Sequence, residues 1–161
     1  MKRIYLDVTQ WGCTGLLIKD TEIVWAGTTV YPMPVRDKEN PYSKMAEEYD
    51  IHFIFDDAVP KINFYTIPRV DIMAQDSDGG YIATVGEMTD SESDAAIYYI
   101  DKDRNTFQIA ANFRDFLETM SQWKLEKKPC GGIQFFSSRE EAQRQYEFLE
   151  PEMIFSEERR N

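Results

Sequence analysis

The chain of 161 residues contains little of what metal and catalytic sites usually need: two cysteines and one histidine. Cys13 and Cys130 form no C-x-x-C pair, so we expect neither a cysteine zinc site nor a disulfide framework. His52 lies in an apolar run with no nucleophile beside it, which indicates a strand residue rather than a general base. No apolar run approaches the ~20 residues that span a bilayer, and no secretory leader follows Met1. We therefore expect a cytoplasmic protein without a membrane partner.

The charge balance is strongly acidic, with 18 basic against 29 acidic residues and a net charge of −11. Such a surface repels a phosphate backbone, which excludes nucleic acid as the expected partner. The excess charge either serves solubility or meets a basic protein partner. Hydrophobic residues make up 42% of the chain, enough to fold residues 1–161 as one domain.

Short apolar runs bounded by turn residues predict a chain rich in strands. We predict strands at residues 2–8, 51–55, 63–67, 69–74, 81–85, 96–100, 106–110 and 133–136, a hairpin from 15–19 and 22–26, a helix at 41–49 and a frayed tail at 156–161. The short spacing of the middle strands favours antiparallel pairing, because parallel neighbours need a long crossover. The predicted fold is therefore α+β, a mostly antiparallel twisted sheet with a few helices packed on one side.

The clearest helix signal begins at Asn112, a preferred N-cap residue, and Asp115 follows where a carboxylate favours the helix dipole. Apolar residues at helical spacing predict its buried face: Phe113, Phe116, Leu117, Met120 and Trp123. A second helix is predicted from Ser138 to about residue 149, because Ser138 and Glu141 match a capping box.

Three segments carry a family resemblance: Asp78-Gly79-Gly80-Tyr81, Tyr98-Tyr99-Ile100-Asp101 and Ala110-Ala111-Asn112-Phe113-Arg114-Asp115-Phe116-Leu117. A glycine turn, strands and a capped helix in this order resemble the SUKH superfamily, many of whose bacterial members look like immunity proteins against secreted toxins. The fold-defining residues are Gly79, Gly80, Asn112, Phe113, Phe116 and Leu117. The glycine pair permits positive φ and close approach of another backbone. The first 50 residues are strand-rich where the family usually opens with a helix, and the resemblance covers them poorly.

Metal and cofactor sites are not predicted. Asp76 and Asp78, with Glu87 further on, resemble a calcium loop only faintly, since Tyr81 stands where glycine is required. Carboxylate pairs for glycoside hydrolysis stay open, because no spacing singles one pair out.

The resemblance implies a cytoplasmic immunity-type protein that neutralises a toxin by direct binding, without catalysis. Acidic rims around aromatic anchors suit a basic partner, such as a nuclease toxin domain. The candidate partner-binding residues are Asp56, Asp57, Asp76, Asp78, Tyr81, Asp90, Glu92, Asp94, Tyr98 and Tyr99. Two alternatives stay open: a general interaction or regulatory module of the same fold, and a small hydrolase with an acidic site.

Overall fold

The computed structural model describes residues 2–11, 20–37, 42–85 and 95–150. Its strands are β1 Lys2–Asp7, β2 Thr21–Ala26, β3 Thr28–Val30, β4 His52–Phe53, β5 Tyr65–Ile67, β6 Val70–Gln75, β7 Tyr81–Val85, β8 Ile97–Ile100, β9 Thr106–Ala110, β10 Lys128–Pro129 and β11 Gln134–Phe136. The helices are α1 Val8–Trp11, α2 Tyr42–Tyr49, α3 Phe113–Thr119 and α4 Arg139–Gln145, and short 3-10 turns cover Val35–Asp37 and Met120–Gln122.

The main sheet has the strand order β10-β9-β8-β7-β6-β3, and the short β4 also pairs with β6. All pairings from β10 to β6 are antiparallel, and β3 alone in this sheet runs parallel to its neighbour. Two smaller sheets consist of β1 parallel to β2 and β5 antiparallel to β11. The predicted α+β class with a mostly antiparallel sheet is confirmed, because tight turns join β6 to β7 and β8 to β9.

One face of the main sheet carries α2, α3 and the 3-10 turn after α3. The buried core on this face consists of Ile51, Phe53, Met73, Ala74, Ile82, Ile97, Tyr99, Ile109, Ala110, Phe116 and Trp123. The indole N–H of Trp123 donates to the Tyr49 carbonyl at 2.7 Å, which satisfies the polar atom of a buried ring. This bond joins the 3-10 turn after α3 to the end of α2.

Two further apolar clusters complete the core. On the other face of the sheet, Ile54, Phe64, Val70, Ile72, Ala83 and Ile100 pack together. The smaller sheets and α4 share a cluster of Tyr5, Ala26, Ile67, Phe136, Ala142 and Phe148. The α4 helix therefore packs against the small sheets and not with α2 and α3.

The start of α3 follows the sequence prediction. The Asn112 side chain accepts the Asp115 backbone N–H at 2.8 Å, and the Asp115 carboxylate accepts the Ala111 N–H at 2.8 Å. Phe116 is fully buried and Phe113 packs partly buried beside it. The prediction that Leu117 lies on the buried face of this helix is wrong, because the residue is 43% exposed. Leu117 lies on the outer flank of a helix that is only seven residues long.

Several boundaries differ from the prediction. Residues 22–26 pair parallel with β1, and their predicted hairpin partner, residues 15–19, lies outside the described part of the chain. The second helix ends at Gln145 rather than near residue 149, because the next segment follows β1: Tyr5 N–H donates to Glu147, and Leu149 N–H donates to Tyr5. The predicted tail at 156–161 also lies outside the described residues.

Candidate functional site

The turn between β6 and β7 is built around the carboxylate of Asp76. Its Oδ1 accepts the N–H groups of Asp78 at 3.1 Å and Gly80 at 2.7 Å, and its Oδ2 accepts the Tyr99 hydroxyl at 2.5 Å. Three donors satisfy a side chain that is only 8% exposed. The expectation of an exposed Asp76 is therefore wrong, since the residue turns inward to close the turn.

Both glycines of this turn have a structural reason. Gly79 has φ of +84°, a conformation that L side chains rarely adopt. Gly80 is buried, and a Cβ atom added there would overlap the hydroxyl and ring of Tyr99. The predicted need for close approach is confirmed, but the approaching group is a tyrosine side chain rather than backbone.

Asp50 joins three parts of the fold at this turn. It follows α2 in the left-handed conformation, with φ of +58°. Its Oδ2 accepts the Ser77 hydroxyl at 2.7 Å and the Lys124 ammonium at 2.8 Å, and its Oδ1 lies 2.8 Å from His52 Nε2. The prediction that His52 is a hydrogen-bonded strand residue is confirmed, because it lies in β4 and contacts Asp50.

The carboxylates of Asp50, Asp76 and Asp78 form a triplet whose oxygens lie within 4.8 Å of one another. Oxygens at this spacing could coordinate a divalent cation. The donor set does not favour one, because Asp76 is occupied by its three protein donors and Asp50 by Ser77, His52 and Lys124. One member of the triplet, Asp50, already binds a cation, the ammonium group of Lys124.

The charges of this contact reinforce one another. Partial burial raises the pKa of Asp50, but hydrogen bonds from Lys124, Ser77 and His52 outweigh it and hold the pKa well below its ordinary value. The hydrogen bond to Asp50 raises the pKa of Lys124 in turn. Both groups are therefore fully charged at neutral pH.

A second acidic turn lies beside the first. Asp101, between β8 and β9, accepts the N–H groups of Asp103 at 2.9 Å and Asn105 at 2.8 Å. The two turns are neighbours, since a Cβ atom added at Gly79 would lie 3.8 Å from the Lys102 side chain. We name five aspartates the acidic end of the sheet: Asp50, Asp76, Asp78, Asp101 and Asp103.

Two members of the acidic end are free to meet a partner. Asp78 and Asp103 are exposed, and among the described residues their carboxylates accept no hydrogen bond. Lys102, Lys124 and Lys127 also lie here. Partial burial raises the pKa of Asp101, but the hydrogen bonds from Asn105 and the Asp103 N–H, together with the charge of Lys127, lower it overall. The acidic end therefore combines two unpaired carboxylates with an internal lysine–carboxylate contact.

The other predicted acids do not join this cluster. Asp56 is exposed after β4 and accepts the Val35 N–H at 3.2 Å. Asp57 is exposed and lines a groove of about 320 Å³ together with His52 and Phe55. Asp90, Glu92 and Asp94 lie outside the described residues.

The three predicted tyrosines point to different sides, as alternation along a strand requires. Tyr99 is 5% exposed in the core, and burial together with the Asp76 hydrogen bond raises the pKa of its hydroxyl. Tyr98 and Tyr81 are half-buried. The Tyr81 ring lies 5.7 Å from that of Phe64, on the face opposite the helices.

Sequence reasoning missed Asp50, Lys124, Asp101 and Asp103. The run from Asp101 to Asn105 was readable as an acidic turn, but nothing in it indicated contact with the turn at Gly79. The Asp50–Lys124 bond joins residues 74 positions apart, so no local pattern could show it.

No protein-family model matches the chain, and no curated protein or solved structure matches it at a significant level. Among the described residues, no helix has the length and apolar character needed to cross a membrane.

Replacing Gly80 tests the geometry of the first turn. We expect Gly80→Ala to lower the free energy of unfolding by about 1–3 kcal/mol, because the new methyl group must displace Tyr99 from Asp76. Gly131→Ala is the matched control, since no atom lies within 4 Å of a Cβ added there. Urea unfolding followed by circular dichroism measures both. Equal stability of the two variants would show that the Tyr99 contact is not tight.

The Asp50 contacts predict a pH-dependent stability. Since the pKa of Asp50 is lowered by folding, its contribution is present above the ordinary value of 3.8 and is lost as pH falls below it. We expect Asp50→Asn to cost about 1–3 kcal/mol at pH 7, because asparagine keeps the turn but loses the charge-assisted bonds. Paired urea titrations at pH values from about 7 to 2.5 measure the effect. The difference in free energy of unfolding between Asp50→Asn and the wild type should become smaller at low pH. Asp103→Asn is the control, and because it loses no such bond, its stability difference from the wild type should not change with pH. A stability difference for Asp50→Asn that stays constant over this pH range would contradict the lowered pKa of Asp50.

Proposed function

We propose that this chain is a non-catalytic, cytoplasmic binding protein of the immunity type, which neutralises a basic toxin domain by binding it directly. The observation that carries the proposal is the acidic end, where Asp50 of the carboxylate triplet already binds the Lys124 ammonium while the carboxylates of Asp78 and Asp103 accept no hydrogen bond from a described residue. A lysine or arginine side chain of a partner would find the same chemistry there.

The resemblance to the SUKH superfamily supports the choice of this part of the molecule as the binding surface. Its motif residues build the β6–β7 turn, strand β8 and the capped helix α3. In this proposal the glycine turn serves binding indirectly, because Asp76 and Gly80 fix where Asp78 stands.

In the proposed interface, charge raises the association rate more than the affinity. A net charge of −11 attracts a basic protein over several ångströms, and exposed carboxylates orient the encounter. Apolar contact must then hold the complex, since exposed ion pairs contribute about 0–1 kcal/mol each. Leu125, 85% exposed beside Lys124, is an apolar side chain available next to these charges.

The hydrolase alternative fits this site less well. A general acid needs a carboxyl whose pKa is raised toward neutrality. In the triplet, the Asp50 pKa moves the opposite way, and the Asp76 oxygens are filled by three donors. A general interaction module would use the same surface as a toxin-binding protein. Genomic neighbourhood separates these two, because an immunity gene lies next to a toxin gene.

Charge reversal at the acidic end tests the proposal. With the toxin domain encoded beside the gene, we expect Asp78→Lys or Asp103→Lys to slow association about tenfold at low salt, because each replaces an attractive charge by a repulsive one. The effect should shrink as salt screens the charges. Stopped-flow or surface plasmon resonance measures the rates.

Glu140→Lys is the control, since it makes the same charge change at an exposed position on α4, which packs with the small sheets. If Glu140→Lys slowed association as much as Asp78→Lys, the association rate would depend on net charge alone and not on the acidic end. Failure of the neighbouring toxin to bind the wild-type chain at any salt concentration would contradict the proposed function.

A further inference from the structure

A second concave site lies away from the carboxylate triplet, where the small sheets meet the edge of the main sheet. It is a cleft of about 410 Å³. Seven of its ten lining residues have a polar side chain; the lining consists of Thr9, Gly27, Thr28, Lys61, Ile62, Asn63, Phe64, Tyr65, Ser137 and Ser138. A space of this size accommodates a small metabolite rather than a bare ion.

Cations surround this cleft although the chain as a whole is acidic. Lys61 lines it and is exposed. The Arg104 guanidinium lies 4.2 Å above the Phe64 ring and donates to Asn63 Oδ1 at 2.9 Å. Arg139 lies close enough to the Tyr65 hydroxyl to act on it electrostatically. Lys61 is therefore the cation of the cleft lining, and Arg104 and Arg139 act on residues that line it.

Donor groups at the cleft outnumber the acceptors available to them. The Lys61 ammonium forms no hydrogen bond or ion pair with any described residue. Because Arg104 occupies Asn63 Oδ1, the amide nitrogen of Asn63 is the free end of that side chain. The Ser138 oxygen accepts the Glu141 N–H at 3.2 Å, and its own proton has no acceptor among the described residues.

Two carboxylates near the cleft accept hydrogen bonds from internal donors, and a third, Glu150, acts electrostatically on Tyr65. Buried Asp7 accepts the Thr9 N–H at 2.8 Å, the Thr9 hydroxyl and the Tyr65 hydroxyl at 2.5 Å. Burial and the Asp7 hydrogen bond raise the pKa of Tyr65, which keeps this donor protonated. Glu141 accepts both the N–H and the hydroxyl of Ser137. Both carboxylates keep their negative charge, but their oxygens are bonded to these donors, and neither acid forms an ion pair with Lys61.

We propose that this cleft binds a small molecule through an oxyanion group, a phosphate or a carboxylate, held by Lys61, Asn63 Nδ2 and the Ser138 hydroxyl. The three donors supply hydrogen bonds of the kind that oxyanions accept, one of them from a full positive charge. Arg104 positions the Asn63 amide, and Arg139 adds long-range attraction. This site is independent of the toxin-binding proposal.

The direct test is an NMR titration of the ¹⁵N-labelled full chain with sodium phosphate and, separately, with sodium citrate. Chloride is exchanged for the added anion so that ionic strength stays constant, which removes non-specific screening effects. We expect saturable amide shifts at residues 61–65 and 137–138, with dissociation constants on the order of millimolar for such small ligands. Saturation by phosphate alone assigns a phosphorylated ligand, and saturation by citrate alone assigns a carboxylate.

Two variants locate the binding. Lys61→Gln removes the charge from an exposed side chain and should weaken binding about tenfold. Asn63→Asp keeps an oxygen for Arg104 but puts a negative charge where the amide donor stood, and it should abolish binding. Lys44→Gln, the control, removes the same charge from an exposed position on α2 and should leave the affinity unchanged.

Circular dichroism and an unchanged amide spectrum away from the cleft verify that each variant is folded. Absence of saturable shifts with both anions up to about 50 mM would overturn the proposal, since that concentration exceeds a millimolar dissociation constant at least several-fold. Equal loss of affinity in Lys61→Gln and Lys44→Gln would overturn it as well, because the anion would then respond only to overall charge.

Discussion

The contacts of the Asp76 carboxylate are the constraint on which the acidic end depends. A single buried side chain closes the β6–β7 turn through Asp78 and Gly80 and fixes the Tyr99 hydroxyl of the neighbouring strand. Tyr99 in turn packs 5.0 Å from the Trp123 ring, whose N–H holds the end of α2. The turn, the central strands and the helical layer are therefore joined through one polar group. Because an unsatisfied buried carboxylate is costly, this arrangement tolerates little variation.

Asp50 extends the same network outward. It lies between α2 and the 3-10 turn after α3, where it binds Lys124 and also Ser77 of the β6–β7 turn. Protein donors satisfy the inner carboxylates, so the carboxylates that stay open to a partner are those of Asp78 and Asp103 at the surface. On the other side of the β8–β9 turn, Arg104 reaches toward Asn63 and the cleft. One short turn thus separates a surface suited to cations from one suited to anions.

Much of the fold could be predicted from local sequence, because hairpin strands, Asn112 and the glycine turn are specified by neighbours in the chain. The parallel pairing of β1 with β2 could not, since it depends on long-range contacts that no alternating pattern encodes. The inward turn of Asp76 was missed because aspartate in a turn is usually solvated, and Leu117 because its helix is too short to bury two flanks. Lys124 was missed because its partner lies 74 residues away.

The measurement that tests the central claim most directly is a map of backbone amide shifts on adding the neighbouring toxin domain to the ¹⁵N-labelled chain. If the acidic end is the binding surface, the largest changes fall in residues 76–80 and 101–105 and persist when about 0.3 M salt weakens the long-range attraction. Changes concentrated instead in the groove of His52 and Asp57, or in the cleft around Lys61, with the two acidic turns unaffected, would contradict it.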